Sequence, residues 1–184
     1  MNFSKQQVFE TCKIIAPTKN FSPTLIQAVC LQEGGKTKDG SFAPDRARLE
    51  PGFYSRYVEK NELATTTEVL LSASYGCMQV MGLELKRMGF FEFYFNQSSE
   101  GVKNSMKVPQ SPIGIMFGVD AFCENLNWQI EWGVKLMAEK RDKANRLAAF
   151  KGETDKEKIM LLLWNGGSAP EYANEVLEKQ KSIL

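Results

Sequence analysis

Glu33 is the residue of this sequence best placed for acid–base chemistry. Leu25 and Val29 lie four residues apart on one face of a predicted helix, and Glu33 continues that face one turn further. Partial burial at the end of an apolar face disfavours the ionised carboxylate, and the negative end of the helix dipole acts in the same direction. We therefore expect a pKa in the range of a general acid, the alternative being a side chain that turns into solvent.

The absence of histidine from the 184 residues narrows the chemistry. Serine-triad hydrolases, most Cys-His peptidases and the usual zinc amidases need an imidazole as a base or a ligand, so carboxylates are the groups left for catalysis. Lys and Arg total 23 and Asp and Glu 22, and the net charge of +1 gives no field that would attract nucleic acid or an acidic membrane. We expect neither a metal nor another cofactor.

The cysteines indicate buried thiols. They are Cys12, Cys30, Cys77 and Cys123. They are far apart, form no Cys-x-x-Cys pair and lie in apolar periodic runs, which favours free thiols in a reducing compartment over metal binding or disulfides. No secretory signal is visible, and the longest apolar stretches are far shorter than the ~20 residues of a membrane span. We expect a protein made in the cytoplasm without a membrane span.

Two motifs follow Glu33-Gly34 along the chain. Residues 74–82 read Ser-Tyr-Gly-Cys-Met-Gln-Val-Met-Gly, and residues 163–167 read Leu-Trp-Asn-Gly-Gly. In this order they resemble the three motifs of the soluble lytic transglycosylase and goose-type lysozyme superfamily: a helix-ending Glu-Ser, then Gly-Leu-Met-Gln, then Ala-Tyr-Asn-x-Gly. The resemblance extends over residues 22–178. Within the superfamily the chain is most similar to the phage-type N-acetylmuramidases, which also carry an Arg-x-x-Phe-Glu-like segment that residues 46–54 resemble.

The resemblance implies a mainly α, lysozyme-like single domain over residues 1–184 with a substrate groove. It implies that Glu33 is the catalytic acid/base. The substrate-binding residues that it implies are Ser74, Tyr75, Gly76, Met78, Gln79, Trp164, Asn165 and Tyr172. Two positions depart from the family pattern: Gly34 replaces the usual Ser, and Trp164 replaces a Tyr whose hydroxyl approaches the acid in many relatives. Tyr172 resembles a later tyrosine of the family and would supply part of that function.

A second carboxylate would decide the fate of the sugar. Hydrolysis by a water on the opposite face of the ring calls for a second carboxylate about 6.5–9.5 Å from the acid, whereas ring closure by the sugar's own C6 hydroxyl needs none. The candidates are Asp39, Asp45 and Glu50. Glu50 matches the muramidase segment, so we favour Glu50 over Asp45, and hydrolysis slightly over transglycosylation.

The elements that must position these residues are mostly helices. Helical periodicity runs along the whole chain, with neither an internal repeat nor a linker. The first helix is predicted to begin after a Ser4 cap, and the second to extend from a Ser22 cap to Gly34. Further helices are predicted over 53–58, over 76–88 and, as one or two helices, over 118–150. Capping boxes at Thr154/Glu157 and Ser168/Glu171 predict a helix over 156–164 and a C-terminal helix. Residues 36–51 are predicted to form a long exposed loop, and residues 90–95 carry the strongest strand signal.

Aromatic and basic residues outside the motifs have ordinary structural explanations. The aromatic run 90–95, Trp128 and Trp132 are expected mainly in the core, although such rings can also stack on sugars. The basic positions Lys135, Lys140, Arg141, Lys143 and Arg146 alternate with acidic ones and predict a solvated helix face.

The sequence as a whole favours a peptidoglycan-cleaving glycosidase. The predicted enzyme acts as a monomer on glycan strands, cutting the β-1,4 bond between N-acetylmuramic acid and N-acetylglucosamine. Without a signal peptide it would reach the cell wall through phage lysis as an endolysin, in a virion or tail, or by a secretion machine. The alternative is a non-catalytic wall-binding or structural phage or tail protein that keeps the fold, and a helical nucleic-acid binder is a distant third.

Overall fold

The fold is mainly helical with a small antiparallel sheet. A computed structural model describes residues 2–34, 42, 47–49, 66–151, 155–167 and 169–183. The helices in these ranges are Lys5–Ile15 (α1), Pro23–Glu33 (α2), Thr66–Leu71 (α3), Gly82–Arg87 (α4), Phe90–Gln97 (α5), Glu100–Met106 (α6), Pro112–Glu124 (α7), Leu126–Lys151 (α8), Lys156–Trp164 (α9) and Pro170–Ile183 (α10). A 3-10 turn, Ala16–Lys19, joins α1 to the segment before α2. None of the helices described is long and apolar enough to cross a membrane.

The sheet has three short strands in the order β1-β2-β3. They are Arg48–Leu49 (β1), Ala73–Tyr75 (β2) and Val80–Met81 (β3). The central strand is buried and places Ser74 opposite Arg48 on one side and opposite Met81 on the other. The sheet therefore brings the motif over residues 74–82 next to Arg48, which lies 26 residues before Ser74.

Two helix starts illustrate what side-chain capping contributes. Ser4 caps α1 as the sequence predicts, and it does so through a reciprocal capping box with Gln7 that was not predicted. The helix α2 has the predicted bounds, but the predicted cap is wrong, because the hydroxyl of Ser22 bonds to that of Thr24 at 2.7 Å and caps no backbone N–H. Pro23, whose fixed φ suits the first helical position, starts this helix without a side-chain cap.

The last two helices also follow their predicted patterns. The helix α9 has the predicted bounds, yet its cap is Asp155, whose Oδ1 accepts a hydrogen bond from the Lys158 N–H at 2.9 Å. The helix α10 follows, beginning at Pro170. The capping residues predicted for these helices, Thr154 and Ser168, lie outside the described residues, as does the helix predicted over 53–58.

The helix predicted over 76–88 is confirmed only over residues 82–87, and its first part is wrong. Residues 76–79 form a turn, residues 80–81 are β3, and the helix begins only at Gly82. The backbone at Gly76 (φ 75°) and at Gln79 (φ 51°) is left-handed, which interrupts any right-handed helix that carries the apolar spacing of this segment.

The strand signal over residues 90–95 is also wrong, because this segment is α5. The rings of Phe90, Phe93 and Tyr94, at helical spacing, all lie 5.6–6.2 Å from the ring of Trp128. Only a helix gathers these three rings on one side. Phe90 is fully buried and the others are packed against the core, which confirms the prediction that the cluster is mainly structural.

The region predicted as one or two helices over 118–150 is two. The helix α7 begins earlier than predicted, at Pro112 after a Ser111 cap, and ends before Asn125. Asn125 adopts an extended conformation, and its Oδ1 accepts a hydrogen bond from the Trp128 N–H at 3.1 Å. This asparagine both ends α7 and caps α8.

The predicted loop over 36–51 and the predicted basic helix face are each correct only in part. Phe42 is buried and pairs its backbone with Phe3, whereas residues 47–49 are exposed as predicted. On α8, Lys143 and Arg146 are exposed as predicted. The other three basic side chains have partners instead. Lys135 lies over the ring of Trp132, Lys140 pairs with the carboxylate of Glu84, and Arg141 lies over the ring of Phe21.

The core connects the helices that carry the predicted site. The helix α2 packs against both α1 and α10, and α8 packs against α1 and α9. All four cysteines are buried free thiols, which confirms the prediction made from their spacing. The core residues of α2 therefore hold its C-terminal residue, Glu33, at a fixed place between α9 and α10.

Candidate active site

Glu33 is the last residue of α2, and its carboxylate is held by side chains from three other elements. Its Oε1 accepts a hydrogen bond from the Tyr172 hydroxyl at 2.7 Å and another from the Trp164 Nε1–H at 3.2 Å. Its Oε2 lies 3.6 Å from the Nη2 of Arg48. The Glu33 side chain is 7% exposed, so it turns into the molecule and away from bulk solvent.

These contacts act on the carboxyl in opposite directions. Burial and the C-terminal end of α2 disfavour the ionised form, whereas two hydrogen-bond donors and a guanidinium favour it. Because Oε1 already accepts two hydrogen bonds, the neutral form carries its proton on Oε2. The group has the environment of a carboxyl that can hold a proton on one oxygen while the other is fixed in place.

Tyr172 is a hydrogen-bond donor at any working pH. Burial and the neighbouring negative charge of Glu33 raise the pKa of the Tyr172 hydroxyl far above its usual value. The hydroxyl therefore stays protonated and points at Oε1. The sequence predicted that Tyr172 would take over part of the role of the family hydroxyl replaced by Trp164, and the structure places both side chains on the same oxygen.

A glycine turn between α9 and α10 brings these two donors together. Trp164 ends α9, and Asn165 follows as its cap. Gly166 and Gly167 adopt φ values of 74° and 79°, which favour glycine, and the Gly167 N–H bonds back to the Leu162 carbonyl at 2.8 Å. The chain can then turn into α10, which returns along α2 with Tyr172 in its first turn.

Polar contacts fix α10 against the end of α2. The side chain of Gln32, next to Glu33, donates a hydrogen bond to Glu175 and accepts one from Lys179, each at 2.6 Å. These residues, 143 and 147 positions apart from Gln32, were not identified from the sequence. They reinforce the alignment of Tyr172 with Glu33.

The turn over residues 76–79 forms another side of the site. The amide of Gln79 accepts a hydrogen bond from the Ser74 hydroxyl at 2.9 Å and donates one to the Gly76 carbonyl at 2.8 Å. Tyr75 donates to the Leu70 carbonyl at 2.6 Å, and Met78 is fully buried. Of the substrate-binding residues predicted here, Gln79 lines the cavity described below, whereas the other four are buried and shape the turn from inside.

Gln129 supports this turn from α8, and sequence reasoning missed it. Its buried side chain accepts a hydrogen bond from the Cys77 N–H at 2.9 Å and donates to the carbonyls of Phe122 and Cys123. A Cβ on Gly76 would lie 2.7 Å from its Oε1. The available signal was a glutamine between Trp128 and Ile130 on an apolar helix, where a buried polar side chain must have partners.

A cavity of about 170 Å³ opens in front of Glu33. It is lined by Glu33, Arg48, Gln79, Met81, Glu84, Leu136, Lys140, Leu163, Trp164, Asn165 and Gly166. Trp164, Asn165 and Gln79, all predicted from the motifs, therefore share this cavity with the carboxylate of Glu33. Tyr172 contacts Glu33 from the opposite, buried side.

The cavity contains a second carboxylate, Glu84, which sequence reasoning missed. Burial alone would raise its pKa, but hydrogen bonds and charges from Arg87 and Lys140, 2.5 and 3.3 Å away, outweigh burial and lower it. Glu84 is therefore ionised at neutral pH. Glu84 lies on a helix as predicted, but no motif marked it as part of the site. The predicted candidates Asp39, Asp45 and Glu50 lie outside the described residues.

Gly34, directly after Glu33, is closely packed. A Cβ on Gly34 would lie 2.5 Å from Cε1 of Phe42, whose ring is buried at the end of α2. A serine, which the motif resemblance implies at this position, therefore conflicts with the packing of Phe42.

Comparisons with known proteins add no assignment. Among the residues described, no group of three or more His, Cys, Asp or Glu side chains is arranged to hold a metal ion. No family model, no curated protein and no solved structure matches the chain.

Proposed function

We propose that this protein is a lysozyme-like glycosidase that cuts the β-1,4 bond between N-acetylmuramic acid and N-acetylglucosamine in peptidoglycan. The observation that carries the proposal is the environment of Glu33: a buried carboxyl at the wall of a cavity, with one oxygen fixed by Tyr172 and Trp164. Together with the order of the three motifs, it supports Glu33 as the general acid.

The donors around Glu33 suit the loss of a proton. Cleavage of a glycosidic bond needs a proton on the leaving oxygen while positive charge develops on the sugar. As Oε2 of Glu33 releases its proton, negative charge grows on the carboxylate, and the hydrogen bonds from Tyr172 and Trp164 become stronger. They stabilise the transition state more than the protonated ground state.

The cavity walls have the composition of a sugar-binding site. Leu136, Leu163 and Trp164 provide apolar surface, and Gln79 and Asn165 provide amide groups. An amide group both donates and accepts, which matches the hydroxyl and acetamido groups of the sugars. The substrate groove of the proposed fold passes through this cavity.

Two routes for the sugar remain within this proposal. In one, an ionised carboxylate directs water to the sugar, and the candidates are Glu50, favoured from the sequence, and Glu84, which shares the cavity with Glu33. In the other, the C6 hydroxyl of the sugar closes the ring. The proposed enzyme is a monomer that is made in the cytoplasm and reaches the wall by phage lysis, in a virion or tail, or by a secretion machine.

Mass spectrometry of digested peptidoglycan tests the proposal. Incubation of purified sacculi with the protein is expected to release muropeptides that end in reducing N-acetylmuramic acid, or in its 1,6-anhydro form if the ring closes. Products ending in N-acetylglucosamine would contradict the bond assignment. Retention on sacculi without any soluble product would favour the alternative, a non-catalytic wall-binding or structural protein. Retention on DNA that falls steeply with salt would instead indicate phosphate contacts.

A further inference from the structure

The contact between Arg48 and Glu33 conflicts with a simple general acid. The proton of neutral Glu33 belongs on Oε2, because Oε1 accepts from Tyr172 and Trp164. Oε2 faces the guanidinium of Arg48 at 3.6 Å. A guanidinium has only donors and is always charged, so it cannot accept the Oε2 proton and favours the ionised carboxylate. Arg48 must leave Oε2 before Glu33 can act as an acid.

Arg48 is built to move its side chain without moving its backbone. Its side chain is 55% exposed. Its backbone pairs with Ser74 in the sheet. The guanidinium can therefore turn from Glu33 to another anion at the mouth of the cavity.

Among the residues described, the other charged or titratable groups near Glu33 do not provide a positive charge at Oε2 in place of Arg48. Lys140 and Glu84 line the same cavity from α8 and α4, but they pair with each other at 3.3 Å and largely cancel. Tyr172, from α10, stays neutral, and Cys30 on α2 is a buried thiol whose pKa is raised by burial and by its thiol neighbours. Within the part of the chain that the structure describes, Arg48 is the cation seen beside Oε2.

We propose that Arg48 is a specificity-determining residue that pairs with Glu33 in the free protein and moves to a carboxylate on the peptide substituent of the glycan strand. This inference rests on the proposed function. The sugars of the strand are neutral once the lactyl carboxyl is joined to peptide, so the carboxylates that can attract a guanidinium belong to the peptide. Glu33 then takes a proton from solvent onto Oε2 and transfers it to the glycosidic oxygen.

The first test needs no substrate. In protein with ¹³C-labelled glutamate carboxyls, the pKa of Glu33 is measured by NMR in the wild type, Arg48→Gln and Arg146→Gln. Arg146 is an exposed residue of α8 that does not line the cavity, so its variant has the same charge change elsewhere. We expect the pKa of Glu33 to rise by about one in Arg48→Gln only. An unchanged value would overturn the inference.

The second test compares peptide-bearing glycan strands with the same strands after carbodiimide and ammonia have converted the peptide carboxylates to amides, which leaves the lactyl amide intact. For the wild type, the fall of kcat on the alkaline side of the pH profile should begin at lower pH on the amidated strands than on the untreated strands, with a difference of up to about tenfold on that side. In Arg48→Gln the two profiles should coincide, whereas Arg146→Gln should behave as the wild type. If the wild type is active and its pH profiles on the two kinds of strand are identical, this inference is overturned but the proposed function is not. If the wild type is inactive on both kinds of strand, the proposed function is overturned. The NMR titration then still shows whether Arg48 lowers the pKa of Glu33.

Discussion

The hydroxyl of Tyr172 donates a hydrogen bond of 2.7 Å to Oε1 of Glu33, across 139 residues of sequence. The contact joins the C-terminal end of α2 to the first turn of α10 and makes the orientation of the carboxylate depend on the packing of two helices. A solvent-exposed glutamate at a helix end would have no such dependence. The predictions below concern this contact, the elements that hold it and the chemistry that it supports.

Loss of the Tyr172 hydroxyl should lower activity more than loss of the Trp164 N–H. Hydrogen bonds to charged groups contribute about 1.5–3 kcal/mol, so Tyr172→Phe should reduce kcat by roughly 10- to 100-fold. Trp164→Phe should cost less through its hydrogen bond, which is 3.2 Å long. Tyr94→Phe, on α5 away from Glu33, serves as the control in the same lysis assay. Equal activity of Tyr172→Phe and the control would show that the contact does not assist catalysis.

Two glycines in helices should respond oppositely to alanine. A Cβ on Gly133 would lie 3.0 Å from Cε of the buried Met78 and closer still to its Sδ, so Gly133→Ala should lower the free energy of unfolding by about 1–3 kcal/mol. A Cβ on Gly101 meets no atom within 4 Å, so Gly101→Ala should be neutral or stabilise by about 0.4–1 kcal/mol. Denaturant unfolding of both variants measures the difference. A Gly133→Ala protein as stable as the wild type would mean that Met78 is loosely packed.

The ion pairs of Glu84 should stabilise the fold at neutral pH and fail in acid. Its folded-state pKa lies below the ordinary 4.5, so its contribution is complete above about pH 4.5 and is lost as the pH falls through the folded value. Arg87→Gln should therefore cost roughly 0.5–1 kcal/mol at pH 7 and almost nothing near pH 2. Urea titrations at both pH values, with the exposed Lys181→Gln on α10 as the control, measure this. A cost independent of pH would exclude the ion pair as its cause.

Thiol reagents and chelators should leave the activity intact. Cys12, Cys30 and Cys77 are at most 1% exposed, and Cys123 is 8% exposed. Burial, and to a lesser extent the neighbouring thiols, raises the pKa of Cys30 well above its usual value. A protonated, buried thiol reacts slowly. An aromatic disulfide reagent should label all four only after denaturation. Loss of lysis in a strong chelator, restored by zinc or calcium, would reveal a metal site.

Local signals predicted much of the helical framework. The Ser4 cap of α1 and the bounds of α2 and α9 depend on residues within a few positions of each helix end, so local signals predicted them, although the cap predicted for α2 was wrong and Asp155 caps α9. The turn over 76–79 could not be predicted this way, because the positive φ of Gln79 is held by hydrogen bonds to Ser74 and Gly76 and by the contact of Gln129 with Cys77. The apolar spacing there fits a helix, and tertiary contacts override it.

Glu33 and the two side chains that donate hydrogen bonds to it were named from the sequence, whereas its contacts with charged side chains were not. Glu33 was identified by the apolar face that it ends, and Trp164 and Tyr172 by motif resemblance. The ion pair of Glu84 with Lys140 and the approach of Arg48 to Glu33 depend on side chains from separate elements meeting in space. The spacing of residues along the sequence does not predict contacts between side chains of separate elements.

The most direct test of the central claim is the lysis rate of Glu33→Gln on purified sacculi. The amide keeps the shape of the side chain but has no proton to transfer, and general acid catalysis contributes about 10²–10⁴-fold. We expect less than about a hundredth of the wild-type rate, with an unchanged circular dichroism spectrum that shows the variant to be folded. A folded Glu33→Gln protein that retains more than about a hundredth of the activity would contradict Glu33 as the general acid.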